Sequence, residues 1–104
     1  MIIEMRTYYI KVGMINNFIN IYDKQIRNIH IKILGNQIGF FYSEFGDLNK
    51  VVHLYGYESY RDRDKRRALL IKQEAFKNYL HKVKDILVSQ KSEILLPTKF
   101  SKIR

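Results

Sequence analysis

Six side chains in two short segments carry most of the chemistry this sequence can offer. Glu4, Arg6 and Tyr8 stand near the start, and His53, Tyr55 and Tyr57 stand in the middle. Both segments, Ile2 to Ile10 and Val51 to Tyr57, are apolar and β-prone, so each reads as a strand. Successive side chains of a strand alternate between faces, which groups Glu4, Arg6 and Tyr8 on one side and His53, Tyr55 and Tyr57 on one side. An acid, a guanidinium, an imidazole and phenols on one sheltered face meet the needs of a small-molecule site. Imidazole is readily poised for proton transfer near neutral pH, which makes His53 the candidate general base. A purely structural alternative uses the same residues: Glu4 and Arg6 pair within an interface, and His53 is a hydrogen-bonded neighbour.

Other site chemistries find no support. The chain has no cysteine, which excludes disulfides, thiolate nucleophiles and cysteine-based zinc or iron–sulfur sites. His30, His53 and His81 share no ligand spacing and form no HExxH, so no metal site is expected. The five glycines make neither GxGxxG nor GK[ST], and no GxSxG occurs, so no cofactor is expected.

The elements that must position the six residues follow from periodicity. After the first strand, Gly13 punctuates, and Ile15, Phe18, Ile19, Tyr22, Ile26 and Ile29 recur at helical spacing. Leu34-Gly35-Asn36 reads as a helix stop and turn. Ile38 to Glu44 is an aromatic, β-prone strand, and Gly46 to Asn49 a turn before the strand Val51 to Tyr57. Ser59, with Asp62 three positions on, opens a helix in the manner of a capping box. The apolar phase restarts around Lys72-Gln73-Glu74, and Phe76, Tyr79, Leu80, Val83, Ile86 and Leu87 form a second amphipathic helix. Glu93 to Leu96 is a last short strand ending at Pro97, and residues 98–104 make a basic, loosely held tail.

Strand, helix, strand, strand, helix pair, strand is the split pattern of a ferredoxin-like βαββαβ α+β sandwich. Strands 1 and 3 are then central, and both helical segments cover one face. Ile3, Met5 and Tyr9 are taken as the core side of strand 1. That puts the charged six on the open face, too apolar to stay wet, and a second copy is expected to cover it. The expected product is a homodimer whose two sheets enclose a ligand cleft.

The chain has 104 residues, with 19 Lys plus Arg against 10 Asp plus Glu, a formal charge of +9. One domain spanning residues 1–104 fits that length. The cations are scattered rather than banded, and Ile, Lys, Asn and Tyr are abundant together, so composition drift explains the charge better than a phosphate-tracking surface. The densest run, Tyr60 to Arg67, reads as a solvated helix face carrying Asp62–Arg66 and Asp64–Arg67 pairs. The one string similar to an RNA-binding RNP1, Ile38 to Tyr42, falls on the second strand rather than the third, so nucleic acid is not the expected partner. The start has too few apolar residues for a signal-peptide core, and no run approaches a membrane span. A cytoplasmic location is the resulting expectation.

Glu4-Met5-Arg6-Thr7-Tyr8, followed by Gly13 and Phe18, resembles the opening of a NIPSNAP domain. The middle is more specific: Gly39, Glu44, Gly46, Leu48-Asn49, Val52-His53 and Tyr57, then Arg63 and Arg66-Arg67. Phe76 stands where that family often has Trp, with Tyr79, Leu95, Pro97 and Phe100 following, although Phe100-Ser101-Lys102 departs from the usual Phe-Ser-Pro ending. The resemblance implies a dimeric α/β barrel related to cofactor-independent monooxygenases, in a family with no settled reaction. The additional N-terminal sequence of mitochondrial members has no counterpart here, which implies a bacterial single-domain form.

Three functions follow as expectations. The first is a homodimer that binds a small organic ligand through Glu4, Arg6, Tyr8, His53, Tyr55 and Tyr57. The second is a cofactor-independent monooxygenase with His53 as general base. The third is nucleic-acid binding through the basic surface.

Overall fold

The computed structural model describes residues 1–104. Its elements run β1 (Ile2–Ile10), α1 (Ile15–Gln25), α2 (Arg27–Leu34), β2 (Asn36–Tyr42), β3 (Lys50–Tyr57), α3 (Tyr60–Ile71), α4 (Glu74–Val83) and β4 (Leu87–Leu95). The strands form one antiparallel sheet in the order β2-β3-β1-β4. This is the ferredoxin-like α+β sandwich, with β1 and β3 central and each helical segment split in two. No helix is long and apolar enough to cross a membrane.

Phe18, Tyr22, Ile26, His30 and Leu34 are all buried and all four residues apart. On a helix of 3.6 residues per turn, that spacing drifts about 40° per step. A continuous rod would therefore carry His30 and Leu34 off the sheet. The chain resets the drift at Ile26, whose φ of −139° separates α1 from α2. The uninterrupted apolar periodicity from Ile15 to Ile29 hides this break.

Gly35 ends α2 at a φ of +90°, a left-handed conformation that L side chains rarely adopt. A second constraint coincides there. A Cβ on Gly35 would lie 2.7 Å from the Arg66 guanidinium, which donates to the Ile33 carbonyl at 3.0 Å and to Asp62 at 2.9 Å. Arg66 thereby caps the C-terminal end of α2 and binds α3 to it. At the start of α3, the Ser59 hydroxyl accepts from the Asp62 amide at 3.1 Å, the cap expected from their spacing.

Two strands differ in extent from the sequence reading. β2 begins at Asn36, because the turn at Gly35 delivers the chain straight into pairing with Gly56. β4 begins at Leu87 rather than Glu93, and α4 stops at Val83. The polar stretch Ser89 to Ser92 lies on an edge strand, largely exposed, so it needs none of the apolar alternation that marks a half-buried strand.

The largest correction concerns the faces of the sheet. Ile2, Ile10, Val51, Tyr55 and Tyr57 join Phe18, Tyr22, Ile26, Leu34, Leu70, Phe76, Tyr79 and Val83 in one buried cluster. The face carrying Glu4, Arg6, Tyr8, His53, Tyr55 and Tyr57 is therefore the one the helices cover. Ile3, Met5, Thr7 and Tyr9 point the other way. The expected grouping by parity holds, since Arg6 pairs with His53 and Glu4 with Tyr55 across the β1–β3 ladder. The expected side does not, and the reason is local. Buried side chains such as Tyr55 and Phe18 each contribute roughly 1.5–3 kcal/mol, enough to hold a charged group on the inner face when another element supplies its partner.

Replacing Gly35 with Ala is expected to destabilise the protein by roughly 1–3 kcal/mol, through the positive φ and the displaced Arg66. Urea denaturation checks this, and the companion change Gly13→Ala, with open space around its Cβ position, should fall at the lower end.

Candidate functional site

The covered face is organised around a buried carboxylate. Glu4 is 1% exposed, and its two oxygens accept from Arg63 Nε at 3.0 Å, Arg63 NH2 at 2.9 Å, Arg6 NH1 at 3.0 Å and the Ser92 hydroxyl. Burial alone would raise its carboxyl pKa, but the hydrogen bonds from Arg63, Ser92 and Arg6 outweigh burial and hold it at about 2. One carboxylate thus ties β1 to β4 and to α3. It also fixes Arg6, whose Nε donates to the Tyr8 hydroxyl at 2.8 Å and whose NH2 lies 3.4 Å from Gln90 Oε1.

Beside this ion cluster is a patch of rings. Ladder pairing aligns Phe40, His53, Arg6 and Ser92 in one row across all four strands. An irregularity between Gln37 and Gly39 shifts the parity of β2. Gln37 and Phe40 can therefore both reach this face, although they are three apart. Phe40 stacks on His53 with ring centres 5.2 Å apart, while His30 and Tyr55 meet His53 edge-on at 5.5 and 5.2 Å.

The two imidazoles are sheltered differently. His30 Nδ1 lies 2.8 Å from the Tyr22 hydroxyl and 3.0 Å from the Tyr55 hydroxyl, and Gln37 Nε2 donates to Tyr55 at 3.0 Å. His53 Nδ1 is sealed from solvent without a hydrogen-bond partner. Burial, with repulsion from neighbouring cationic groups, lowers both histidines to about 3, so both are neutral at pH 7. Burial also pushes Tyr22 and Tyr79 far up and Tyr57 up to about 12, so these phenols stay protonated.

Ion cluster and rings together border a cavity of about 240 Å³ between the sheet and the helices. Arg6, Tyr8 and His53 of the expected set line it, with His30, Phe76 and Arg67 among the other lining residues. Glu4 and Tyr55 stand behind the wall and hold its members in place. Tyr57 is buried in the core, away from the cavity lining. The cavity lies within one chain, not in a cleft between two sheets. No three His, Asp or Glu side chains gather where they could hold a metal ion.

The arginine run is only partly a solvated face. Asp62 pairs with Arg66 as its spacing suggests, at 2.9 Å, but Asp64 pairs with Arg63 rather than Arg67. Arg63 turns inward to Glu4, and Arg67 reaches the cavity with no hydrogen bond or ion pair to any side chain. A signal for this was present. Arg63, Arg67 and Leu70 stand at i, i+4 and i+7, one helical stripe, and Leu70 is the buried residue of α3.

The chain belongs to the NIPSNAP family, whose model matches residues 3–102. It is 34% identical over 96 residues to a NipSnap homologue from Dictyostelium discoideum, covering 92% of this chain but only 42% of that protein. A NIPSNAP family protein from Agrobacterium tumefaciens is similar in structure, at TM-score 0.95 and 34% identity over 99% of this chain and 98% of that one. A NIPSNAP-like domain protein from Burkholderia xenovorans reaches TM-score 0.92 and 38% identity over 96% and 87%. A putative antibiotic biosynthesis monooxygenase from Nitrosomonas europaea shares the fold, at TM-score 0.69 and 13% identity over 93% and 98%.

The acid limb of stability follows from the shifted groups. Glu4 is depressed, so its contribution is complete above its unfolded value near 4.5 and is lost as pH falls toward 2. His30 and His53 are also depressed, so the unfolded chain takes up their protons first and stability declines below about 6.5. Melting temperature should therefore fall continuously from pH 6.5 to pH 3. Glu4→Gln should cost roughly 3 kcal/mol at pH 7, because Arg63 and Arg6 lose their buried anion.

Proposed function

We propose that this NIPSNAP-family chain binds a small organic ligand in the cavity between its sheet and its own helices. The observation that carries this reading is the mixture lining that cavity. An oriented guanidinium, neutral imidazoles and aromatic walls converge on one concave space, the combination of apolar surface and a few fixed polar groups that ligand sites use. Arg6, Tyr8 and His53 meet the ligand, while Glu4 and Tyr55 position them. Tyr57 packs in the core, a structural role.

A homodimer accompanies this reading. The opposite sheet face presents the half-buried Met5, Val52 and Leu54 beside the buried Ile3 and Thr7, and none of these five belongs to the buried cluster that joins sheet and helices. A second copy supplying the same surface would bury it by two-fold symmetry. In that arrangement the ligand cavity is complete within each subunit, and the dimer interface lies behind the sheet.

An enzymatic reading, cofactor-independent oxygenation of a phenolic or enolic substrate with His53 as base, is supported by the shared fold of the Nitrosomonas europaea protein and by the placement of His53. Its Nδ1 is sealed, so Nε2 is the nitrogen a cavity ligand could address. Burial lowers its basicity, however, which suits accepting a hydrogen bond better than removing a proton. Binding is therefore preferred over turnover. Oxygen uptake with hydroquinones, lost in His53→Ala, would instead establish the catalytic reading.

A panel of small aromatic metabolites should contain compounds that raise the melting temperature, since a ligand that binds only the folded state stabilises it. His53→Phe should remove that response and yet stabilise the free protein by about 1 kcal/mol, because it deletes a buried nitrogen without a partner. A panel that leaves the melting temperature unchanged would contradict the binding reading.

A further inference from the structure

The cavity wall has an unbalanced charge. Arg6, Arg63 and Arg67 come together on it or just behind it, and only Glu4 and Asp64 are paired with any of them. Glu4 is shared by Arg6 and Arg63, and Asp64 sits on Arg63 alone. No side chain hydrogen-bonds or ion-pairs with Arg67. Burial and the neighbouring Arg6 lower its affinity for a proton, and Arg67 lines the cavity together with Arg6. A partly desolvated cation without a partner is unfavourable in the free protein. One positive charge is therefore left for something that enters from outside.

The remaining walls restrict what that can be. Phe76 and Tyr79 come from α4, while Phe40 and Tyr8 come from the sheet. The ring of Phe76 lies nearly parallel to His30, with centres 6.2 Å apart, and that of Phe40 nearly parallel to His53. At about 240 Å³, the space lies below the usual range of about 300–1,000 Å³ for drug-sized ligands. Both histidines are uncharged, so they neither add to the positive field nor demand a second anion. A nucleotide or sugar phosphate would bring more charge and more polar surface than these walls can satisfy.

Building on the reading of the cavity as a ligand site, we propose that it takes a small aromatic monoanion. The anionic group pairs with Arg67 and Arg6, and the ring lies among Tyr8, His53 and Phe76. Guanidinium forks match carboxylates in geometry, and aromatic walls favour a flat ring. Arg67 is a binding residue held unpaired in the free protein, and the ligand supplies the charge it lacks.

Calorimetry on the full chain with benzoate, benzamide and cyclohexanecarboxylate tests this. Benzoate should bind at least tenfold more tightly than either of the others. Arg67→Met should erase the advantage of benzoate over benzamide, Arg67→Lys should keep part of it, and the free Arg67→Met protein should melt higher than the wild type. A purely structural arginine would give the opposite melting shift. Benzamide binding as tightly as benzoate, or an Arg67→Met protein that keeps the preference, would overturn the anion and leave the cavity as a site for neutral ligands. Cyclohexanecarboxylate binding equally would overturn the aromatic requirement. Absence of binding by all three would overturn this proposal, and with no response to the wider panel it would overturn the cavity reading as well.

Discussion

A single carboxylate, Glu4, sets the terms for the rest of this molecule. It is almost wholly buried, and a buried anion is tolerable only when hydrogen bonds replace the water it has lost. Arg63 from α3, Arg6 from its own strand and Ser92 from the edge strand provide them. The consequences reach in three directions. Helix α3 is docked on the sheet through Arg63, β4 is joined to β1 through Ser92 as well as through the ladder, and Arg6 is held in one orientation. Because Glu4 is fully committed, it cannot neutralise Arg67. The same interaction that stabilises the sandwich thus leaves the cavity positive.

The rings beside this cluster show a second compromise. A core built for stability alone would place aliphatic side chains at His30 and His53. Instead two imidazoles are held neutral by burial, one satisfied by tyrosine hydroxyls and one with a nitrogen that has no partner. Such a nitrogen costs stability, and so does an unpaired Arg67. Both costs fall on residues that line the cavity, whereas the core around Ile26, Leu34, Val51 and Val83 carries neither. Localised instability of this kind fits a surface shaped for a ligand.

Much of this was legible in the sequence. Strand parity joined Glu4, Arg6 and Tyr8 to His53 and Tyr55, and the ladder places them in register. Ser59 and Asp62 marked the start of α3, and Gly35 the end of α2. The side of the sheet was not legible. Glu4 and Arg6 read as part of the open face of β1, because the residue that ties them to the helical layer, Arg63, lies 59 positions away. Arg67 was obscured for a related reason. Its run is charged on every side, and only the register of Arg63, Arg67 and Leu70 separates the inward stripe from the outward one. The break at Ile26 could not be seen because the apolar spacing continues through it.

The titration of the Glu4 carboxyl, followed by carbon-13 NMR of the side-chain carboxyl, addresses the central interaction most directly. A carboxylate bound by Arg63, Arg6 and Ser92 stays ionised far below the ordinary value of 4.5 and titrates at about 2. A midpoint at or above 4.5 would mean that Glu4 does not hold these arginines, and the docking of α3, the orientation of Arg6 and the positive cavity would lose their common cause.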